Sequence, residues 1–216
     1  MASPREELKQ LLNALNLSAM ADSAEGMALR AAKEGLSHES YLLEMARIEH
    51  GARINRRIER LRKQSEFQPG KTFQTLDMAR FDAPTRMHLD RLKSGSFLKD
   101  AINVVAVGRP GAGKSHLACA LGHALVEAGH PVLFASTASL MQRLLAAKRD
   151  LKLPQALAKL DRFECLILDD IGYVQHDRDE MEVLFTLLAE RYERKSTVIT
   201  TNLVFSAWER IFKDPM

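Results

Sequence analysis

The 216 residues of this chain suit one α/β domain together with a smaller element, and a hydrophobic content of 46% is ordinary for a globular protein with a sizeable core. The formal net charge of +3 is too small by itself to indicate nucleic-acid binding, so the position of the charges matters more. Because the N-terminus lacks the apolar core of a signal peptide and no stretch approaches ~18 apolar residues, we expect a cytoplasmic protein with no membrane partner.

Residues 1–65 are predicted to form a small all-helical N-terminal domain. Apolar residues repeat at helical spacing in two stretches, 8–15 and 27–31, and no strand pattern occurs in this region. Gly35 interrupts the helical period, and Ser37 is a suitable N-cap for a longer helix that follows. We interpret this domain as a candidate for DNA binding and assembly.

The longer helix carries a cluster of basic residues near its end. At ~100° per residue, Ile54, Ile58 and Leu61 share a narrow apolar face, and most of the basic residues fan over one flank and the back of it. Such a surface could neutralise DNA phosphates without reading sequence, although a solvated helix face is the plainer interpretation. We predict that duplex DNA is contacted, without sequence specificity, by the basic cluster: Arg53, Arg56, Arg57, Arg60 and Lys63.

Residues 66–83 are predicted to be a linker, because proline, glycine and aromatic residues break any helical period there. The second predicted domain covers residues 84–216. It begins with a helix over 86–98, in which Met87 and Leu92 are expected to face inward.

A glycine-rich loop follows the apolar stretch 101–107 and precedes a helix-forming stretch. The loop, GRPGAGKS, matches the phosphate-binding pattern G-x-x-x-x-G-K-S/T at every fixed position. Its backbone N–H groups and the helix N-terminus can surround phosphates, Lys114 can reach the β- and γ-phosphates, and the Ser115 hydroxyl can ligate Mg²⁺. We predict that a nucleoside triphosphate is bound by Gly108, Arg109, Pro110, Gly111, Ala112, Gly113, Lys114, Ser115 and His116.

Two acids follow the predicted strand CLIL at residues 165–168. The carboxyl ends of parallel strands surround the ligand crevice of an open sheet, so these acids should lie beside the phosphate loop. We predict that Asp169 supports Mg²⁺, directly or through water, and that Asp170 is the base that orients or polarises the attacking water. Two adjacent acids favour hydrolysis over nucleotide holding alone.

Thr200, Thr201 and Asn202 end the next predicted strand. Because neighbouring strand ends converge on one crevice, Asn202 is predicted to position water beside the γ-phosphate, although an asparagine after a strand is often only a turn residue. The histidines and cysteines lack metal-ligand spacing, and Cys119 and Cys165 are expected to be small buried residues in a reducing cytoplasm.

Strands and helices alternate from residue 101 onward, which predicts an α/β fold with a parallel sheet covered by helices on both faces. A possible capping box at 206–209 suggests one more short helix before the chain ends. The predicted strands are 101–107, 131–135, 165–168 and 197–201, and the helices between them are centred on 116–128, 138–150 and 181–188.

Four segments together resemble the IstB-type ATP-binding helper proteins of bacterial insertion sequences, which are AAA+ ATPases related to the DnaC-type helicase loaders. These segments are 108–117, 166–172, 191–203 and 205–208. The N-terminal part, from Gly35 into the basic cluster, resembles the same family, so the resemblance covers essentially the whole chain.

The resemblance implies a P-loop AAA+ module that binds ATP and Mg²⁺, hydrolyses ATP and self-assembles on duplex DNA into an ATP-dependent oligomer. It also implies a transposase partner, with the ATPase assisting target selection and integration. Under the resemblance, Lys114 and Ser115 hold phosphates and Mg²⁺, Asp169 supports Mg²⁺, Asp170 activates water, and Asn202 is the first sensor.

The chain departs from the family pattern at its end. An arginine finger and a C-terminal lid would follow residues 205–208, whereas the sequence ends at Met216. We therefore expect an incomplete C-terminal lid and weak turnover, since loss of an arginine finger costs ~10³–10⁵ in rate in related phosphoryl transfer.

Two other functions stay open. A DnaC-like helicase loader would act mainly through protein contacts and would use its N-terminal helices to grip a replicative helicase. A nucleotide-binding regulator would bind the triphosphate without useful turnover.

Overall fold

The computed structural model describes residues 3–172, 178–204, 206 and 208. The chain divides into two compact units, Met1–Glu59 and Arg60–Met216. None of the helices in the described ranges is long and apolar enough to cross a membrane. The predicted capping box at 206–209 lies partly outside the described residues.

The first unit is helical, as predicted, and several of its helix ends carry residues suited to those positions. A capping box starts the first helix, because the Ser3 hydroxyl accepts the Glu6 N–H at 3.3 Å and the Glu6 carboxylate accepts the Ser3 N–H at 2.7 Å. The second helix ends at Gly35, and the Ser37 hydroxyl accepts the Ser40 N–H at the start of the third. The helices are α1 (Pro4–Ala14), α2 (Ser18–Glu34) and α3 (His38–Gln64), the last of which continues into the second unit.

The second unit contains, within the described residues, a four-stranded parallel sheet in the order β1-β4-β3-β2. Its strands are β1 (Val104–Val107), β2 (Val132–Ser136), β3 (Cys165–Ile171) and β4 (Ser196–Thr201). Its helices are α4 (Ala83–Lys93), α5 (Lys114–Glu127), α6 (Thr137–Arg149), α7 (Leu153–Leu160) and α8 (Arg178–Arg191). Helix α7 is not among the elements predicted from the sequence.

Helices cover both faces of the sheet, which confirms the predicted α/β fold. Leu166 and Leu168 on β3 belong to one buried cluster with residues of α6, α7 and α8. Ile167, on the opposite face, lies against α5 at Gly122. Alternate residues of one strand thus serve two cores, as expected for a parallel strand buried on both sides. Strand β1 forms an edge of the sheet, where Val105 and Val107 stay partly exposed.

Helix α4 packs differently from the prediction. Met87 is 59% exposed, whereas Leu89 and Leu92 are buried. The predicted inward position of Met87 is therefore wrong, because the buried face of this short helix runs through Leu89.

Residues 66–76 of the predicted linker 66–83, together with Ser65, pack along α5 and the sheet; we call residues 65–76 the strap. The Phe134 N–H donates to the Ser65 carbonyl at 2.8 Å, and the Phe67 ring lies against the His123 ring with centroids 4.4 Å apart and the planes tilted by 44°. At its other end, Leu76 is buried. The strap is held by apolar contacts with residues distant in sequence, which its own glycine- and proline-rich composition does not reveal.

Candidate nucleotide-binding site and basic cluster

The phosphate loop turns between β1 and α5 on two glycines with left-handed backbone. Gly111 and Gly113 have φ angles of 77° and 90°, which residues with a Cβ adopt only under strain. The Gly108 N–H continues the β1–β4 pairing by donating to the Thr201 carbonyl at 3.2 Å. Gly113 is also the N-cap of α5 and supplies no side-chain acceptor, so the first N–H groups of α5 are left for another acceptor at the loop.

Lys114 and Ser115 occupy the first turn of α5. The Lys114 ammonium donates to the Arg109 carbonyl at 3.2 Å, so the side chain lies over the loop. Its position, together with the unused N–H groups, is suited to an anionic ligand.

Asp169 is buried at the end of β3 and is held by hydroxyl groups. The Thr200 hydroxyl donates to the Asp169 Oδ1 at 2.6 Å and accepts the Asp170 N–H at 2.9 Å. The Thr137 hydroxyl donates to the Asp169 carbonyl at 2.9 Å. Thr200 therefore ties the backbone and side chain of the acid pair to the neighbouring strand, which fixes the orientation of the Asp169 carboxylate.

A β-bulge separates the environments of the two acids. Leu168 pairs with Ile199 but Ile171 pairs with Thr201, so β3 contains one more residue than β4 across this interval. Asp170 lies in the bulge with a φ of 63°, a conformation that costs a non-glycine residue free energy. Asp169 is 7% exposed, whereas Asp170 is exposed to solvent.

The strand order brings the predicted site residues together at the carboxyl ends of the parallel strands. Because β4 lies between β1 and β3, its end at Asn202 lies between the phosphate loop and the acid pair. The buried Oδ1 of Asn202 has no hydrogen-bond donor among the described residues. A buried amide oxygen without a donor is costly, and such a group is available to a water or a ligand.

The His116 side chain points to the strap. Its Nε2 atom lies 3.0 Å from the Thr72 carbonyl and 3.1 Å from the Thr75 hydroxyl. The Nε2 atom thus has two partners in the strap, and the part of His116 in nucleotide binding stays a prediction.

Two members of the basic cluster are engaged in a network around Glu49. The Arg53 Nε and the Arg56 Nη2 donate to the Glu49 Oε1 at 3.1 and 2.8 Å, although both arginine side chains remain more than half exposed. Arg57, Arg60 and Lys63 are exposed. The apolar face predicted beside the cluster is only partly buried, since Ile54 is 44% exposed.

The cysteines are buried, free thiols, as predicted. Burial raises the pKa of the Cys165 thiol to about 12, so this group stays protonated and unreactive at neutral pH. Across the ranges that the structure describes, no three histidine, cysteine or acidic side chains form a group that could hold a metal ion.

Thr137, Thr200 and Glu49 are the residues with a role in these sites that the sequence analysis missed. Thr200 had a signal, because a hydroxyl group on a buried strand beside the strand that carries Asp169 and Asp170 is placed to contact those acids. Glu49 also had a signal, because Arg53 lies four residues later on the same helix, at the spacing of an ion pair. Its contacts with the N–H groups of Ala19 and Met20, about 30 residues away, had none, and neither did Thr137, whose partner is 32 residues away.

A parallel sheet of this strand order, with its phosphate loop after β1 and its acid pair after β3, defines a P-loop domain of the AAA+ class. Solved structures share this fold. The DnaC helicase loader superimposes with a TM-score of 0.51 at 24% identity, over 61% of this chain and 76% of the loader. AMPPCP-bound DnaA from Aquifex aeolicus gives a TM-score of 0.56 at 16% identity, over 69% of this chain and 50% of DnaA.

The chain belongs to the family of IstB-like ATP binding proteins, whose model matches residues 10–216. An insertion sequence ATP-binding protein of Sinorhizobium fredii is 41% identical over 206 residues, which cover 95% of this chain and 69% of the relative. The ATP-binding protein of insertion sequence IS21 from Pseudomonas aeruginosa is 35% identical over 208 residues, covering 96% and 78% of the two chains. The resemblance inferred from the sequence is confirmed.

Proposed function

We propose that this protein is the ATPase of an insertion sequence, which binds ATP with Mg²⁺, assembles on duplex DNA and assists a transposase in target selection and integration. The ATPase part of this proposal is supported by the acid pair, which Thr200 holds at the carboxyl ends of the strands, near the phosphate loop. The names of the relatives support the ATP and insertion-sequence parts.

The donor set at the sheet edge fits Mg²⁺, a hard cation that takes oxygen ligands. The Ser115 hydroxyl and the Asp169 carboxylate would hold it, and Asp169 is kept in orientation by the Thr200 hydroxyl on Oδ1. When bound, the cation supplies neutralisation of charge on the β- and γ-phosphates.

The remaining work in hydrolysis belongs to three side chains. Lys114 binds the phosphates by charge-assisted hydrogen bonds once it leaves the Arg109 carbonyl. Asp170, exposed on the bulge, orients a water and accepts its proton. Asn202, with its unpaired buried oxygen, positions the same water from the neighbouring strand.

Replacement of Lys114 by alanine is expected to weaken ATP binding by about 10–100-fold, or about 1.4–2.8 kcal/mol, because charge-assisted hydrogen bonds to the phosphates are lost. The fold should persist, since the Lys114 side chain makes one hydrogen bond, to the Arg109 carbonyl, within the described part of the chain. Titration with a fluorescent ATP analogue measures the effect. Lys99→Ala, an exposed lysine just before β1, is the control and should bind as the wild type does. Unaltered affinity of Lys114→Ala would exclude the proposed site.

The DNA part of the proposal is supported by the basic cluster, whose members are all exposed. The assembly part is tested by mass photometry of the full chain with a duplex, with and without ATP. We expect an ATP-dependent rise in the mass bound to DNA. If a replicative helicase is bound instead, and DNA is not, the helicase-loader function is favoured.

Reversal of charge at Arg60 and Lys63 to glutamate should lower duplex affinity about 100-fold near 0.1 M salt and reduce the salt dependence, because about two phosphate contacts are lost. These two residues are chosen because they do not contact Glu49. Lys33→Glu with Lys152→Glu makes the same change in net charge at exposed positions outside the cluster. Fluorescence anisotropy with duplexes of unrelated sequence measures both variants. An equal loss in the two variants would mean that only net charge matters.

A further inference from the structure

An open hollow of about 590 Å³ lies within the first unit, where the turn between α1 and α2 faces α3. Its lining is polar and basic. The residues that line it are Asn13, Leu15, Asn16, Ser18, Arg53 and Arg56.

Glu49 lies beneath this hollow and is 4% exposed. Its Oε2 accepts the N–H groups of Ala19 and Met20 at 2.9 and 3.2 Å, and its Oε1 accepts one N–H from each of Arg53 and Arg56. Helix α2 has no side-chain cap of its own, so Glu49 serves as its N-terminal acceptor. Burial alone would raise the pKa of Glu49, but these donors outweigh burial and lower it, so the carboxylate stays ionised at neutral pH.

The two arginines are held by Glu49 and by the start of α2, while their side chains stay exposed at the hollow. Arg53 also donates to the Asn16 carbonyl at 3.1 Å, and Arg56 to the Ser18 hydroxyl at 2.7 Å. Both side chains are nevertheless more than half exposed at the hollow. A guanidinium has five N–H donors, and two from each arginine are used in these contacts, so donors remain for a further acceptor. With Glu49 included, the three charged groups carry a net charge of +1.

We propose that the hollow binds a phosphate of the DNA backbone through Arg53 and Arg56, and that Glu49 is the positioning residue that holds both guanidiniums for it. Guanidinium groups match phosphate oxygens in bidentate geometry, and fixing them beforehand lowers the entropy lost on binding. This inference rests on the proposed DNA binding. The competing interpretation is that the network only fastens the start of α2 to α3.

The two interpretations predict opposite changes in DNA affinity for one substitution. Glu49→Gln removes a negative charge beside the hollow, and by electrostatics alone it should strengthen DNA binding. A carboxamide has one oxygen acceptor and an NH₂ group that donates, so it cannot accept all four donors that Glu49 accepts. If Glu49 positions the arginines, DNA binding should weaken although the protein has become more basic.

The experiment uses the full chain and a fluorescent duplex of about 30 base pairs, titrated at several salt concentrations. We expect Glu49→Gln to bind about tenfold more weakly, and to lose about 1–2 from the slope of log affinity against log salt, which corresponds to one or two phosphate contacts. Glu39→Gln, an exposed acid in the first turn of α3, makes the same charge change and should stay within about twofold of the wild type. Equal or tighter binding by Glu49→Gln overturns the proposal.

A second variant covers the case in which Glu49→Gln unfolds the first unit, which far-UV circular dichroism would detect. Arg53→Lys with Arg56→Lys keeps the charge but replaces both planar groups with ammonium groups, and it should weaken DNA binding about fivefold or more. Arg30→Lys is its control. Affinity equal to the wild type in the double lysine variant overturns the proposal.

The charge-reversal variant at Arg60 and Lys63 distinguishes a failure of this inference from a failure of the proposed DNA binding. If it weakens binding but Glu49→Gln and the double lysine variant do not, this inference fails and the proposed DNA binding stands. If the wild-type chain binds no duplex, both fail together.

Discussion

Replacement of Asp170 by asparagine should lower the rate of ATP hydrolysis by about 10²–10⁴-fold while leaving ATP affinity nearly unchanged, because an amide cannot accept the proton of the attacking water. The structure makes the two acids of the pair unequal. Asp169 is buried and bonded to Thr200, whereas Asp170 is exposed on the bulge with no recorded side-chain partner in the described part of the chain. Asp170 is therefore free to meet a water.

Single-turnover phosphate release measures the chemical step, and titration with a non-hydrolysable analogue measures affinity. Asp150→Asn, at the exposed C-cap of α6, is the matched control and should hydrolyse ATP at the wild-type rate. Undiminished hydrolysis by Asp170→Asn would exclude Asp170 as the base. If the wild-type chain itself shows no ATP-dependent turnover, the nucleotide-binding regulator becomes the better description.

Replacement of Arg191 by methionine is expected to destabilise the second unit by about 3–4 kcal/mol, because several buried carbonyl groups would lose their donor at once. The Arg191 side chain is 2% exposed at the end of α8. Its guanidinium donates to the carbonyls of Leu160, Phe163, Glu164 and Ser196 at 2.9–3.4 Å. Burial lowers the pKa of Arg191. Among the described residues, the acceptors of its guanidinium are main-chain carbonyl oxygens.

Urea unfolding followed by the fluorescence of Trp208, the one tryptophan of the sequence, reports on the second unit. Arg194→Met is the control, because Arg194 is exposed three residues later and pairs with Asp161 at the surface, so its loss should cost less than about 1 kcal/mol. A cost for Arg191→Met as small as that of Arg194→Met would contradict the role assigned to the buried guanidinium.

The phosphate loop and the acid pair could be predicted from the sequence because each is a contiguous pattern. The loop needs glycines at fixed spacing before Lys114, and the acids need only a buried strand before Asp169, so neighbours along the chain carry the information. The alternation of strands and helices likewise predicted the parallel sheet. The bulge at Asp170 was not predictable, since it arises from the register of two strands about 30 residues apart.

The strap, and the contacts of Glu49 with the start of α2, join residues that are far apart in the chain. Proline and glycine in the strap predicted a linker, but Phe67 has a partner surface on α5 that only the folded helix presents. The sequence predicts that all five residues of the basic cluster contact DNA in the same way. Glu49 divides the cluster, because it engages Arg53 and Arg56.

Helix α5 packs closely at Gly122, where a side chain would meet neighbours on two sides. A Cβ at this position would lie 2.5 Å from the Phe67 ring and 2.8 Å from the Ile167 Cδ1, so α5 lies close to the strap and to the sheet here. Residue 122 is eight residues beyond Lys114, or ~12 Å along a rigid helix. An added methyl group there would require the Phe67 ring, the Ile167 side chain or α5 itself to move. The absence of a side chain at Gly122 thus lets α5, which begins at the phosphate loop, lie close to the strap on one side and to the sheet on the other.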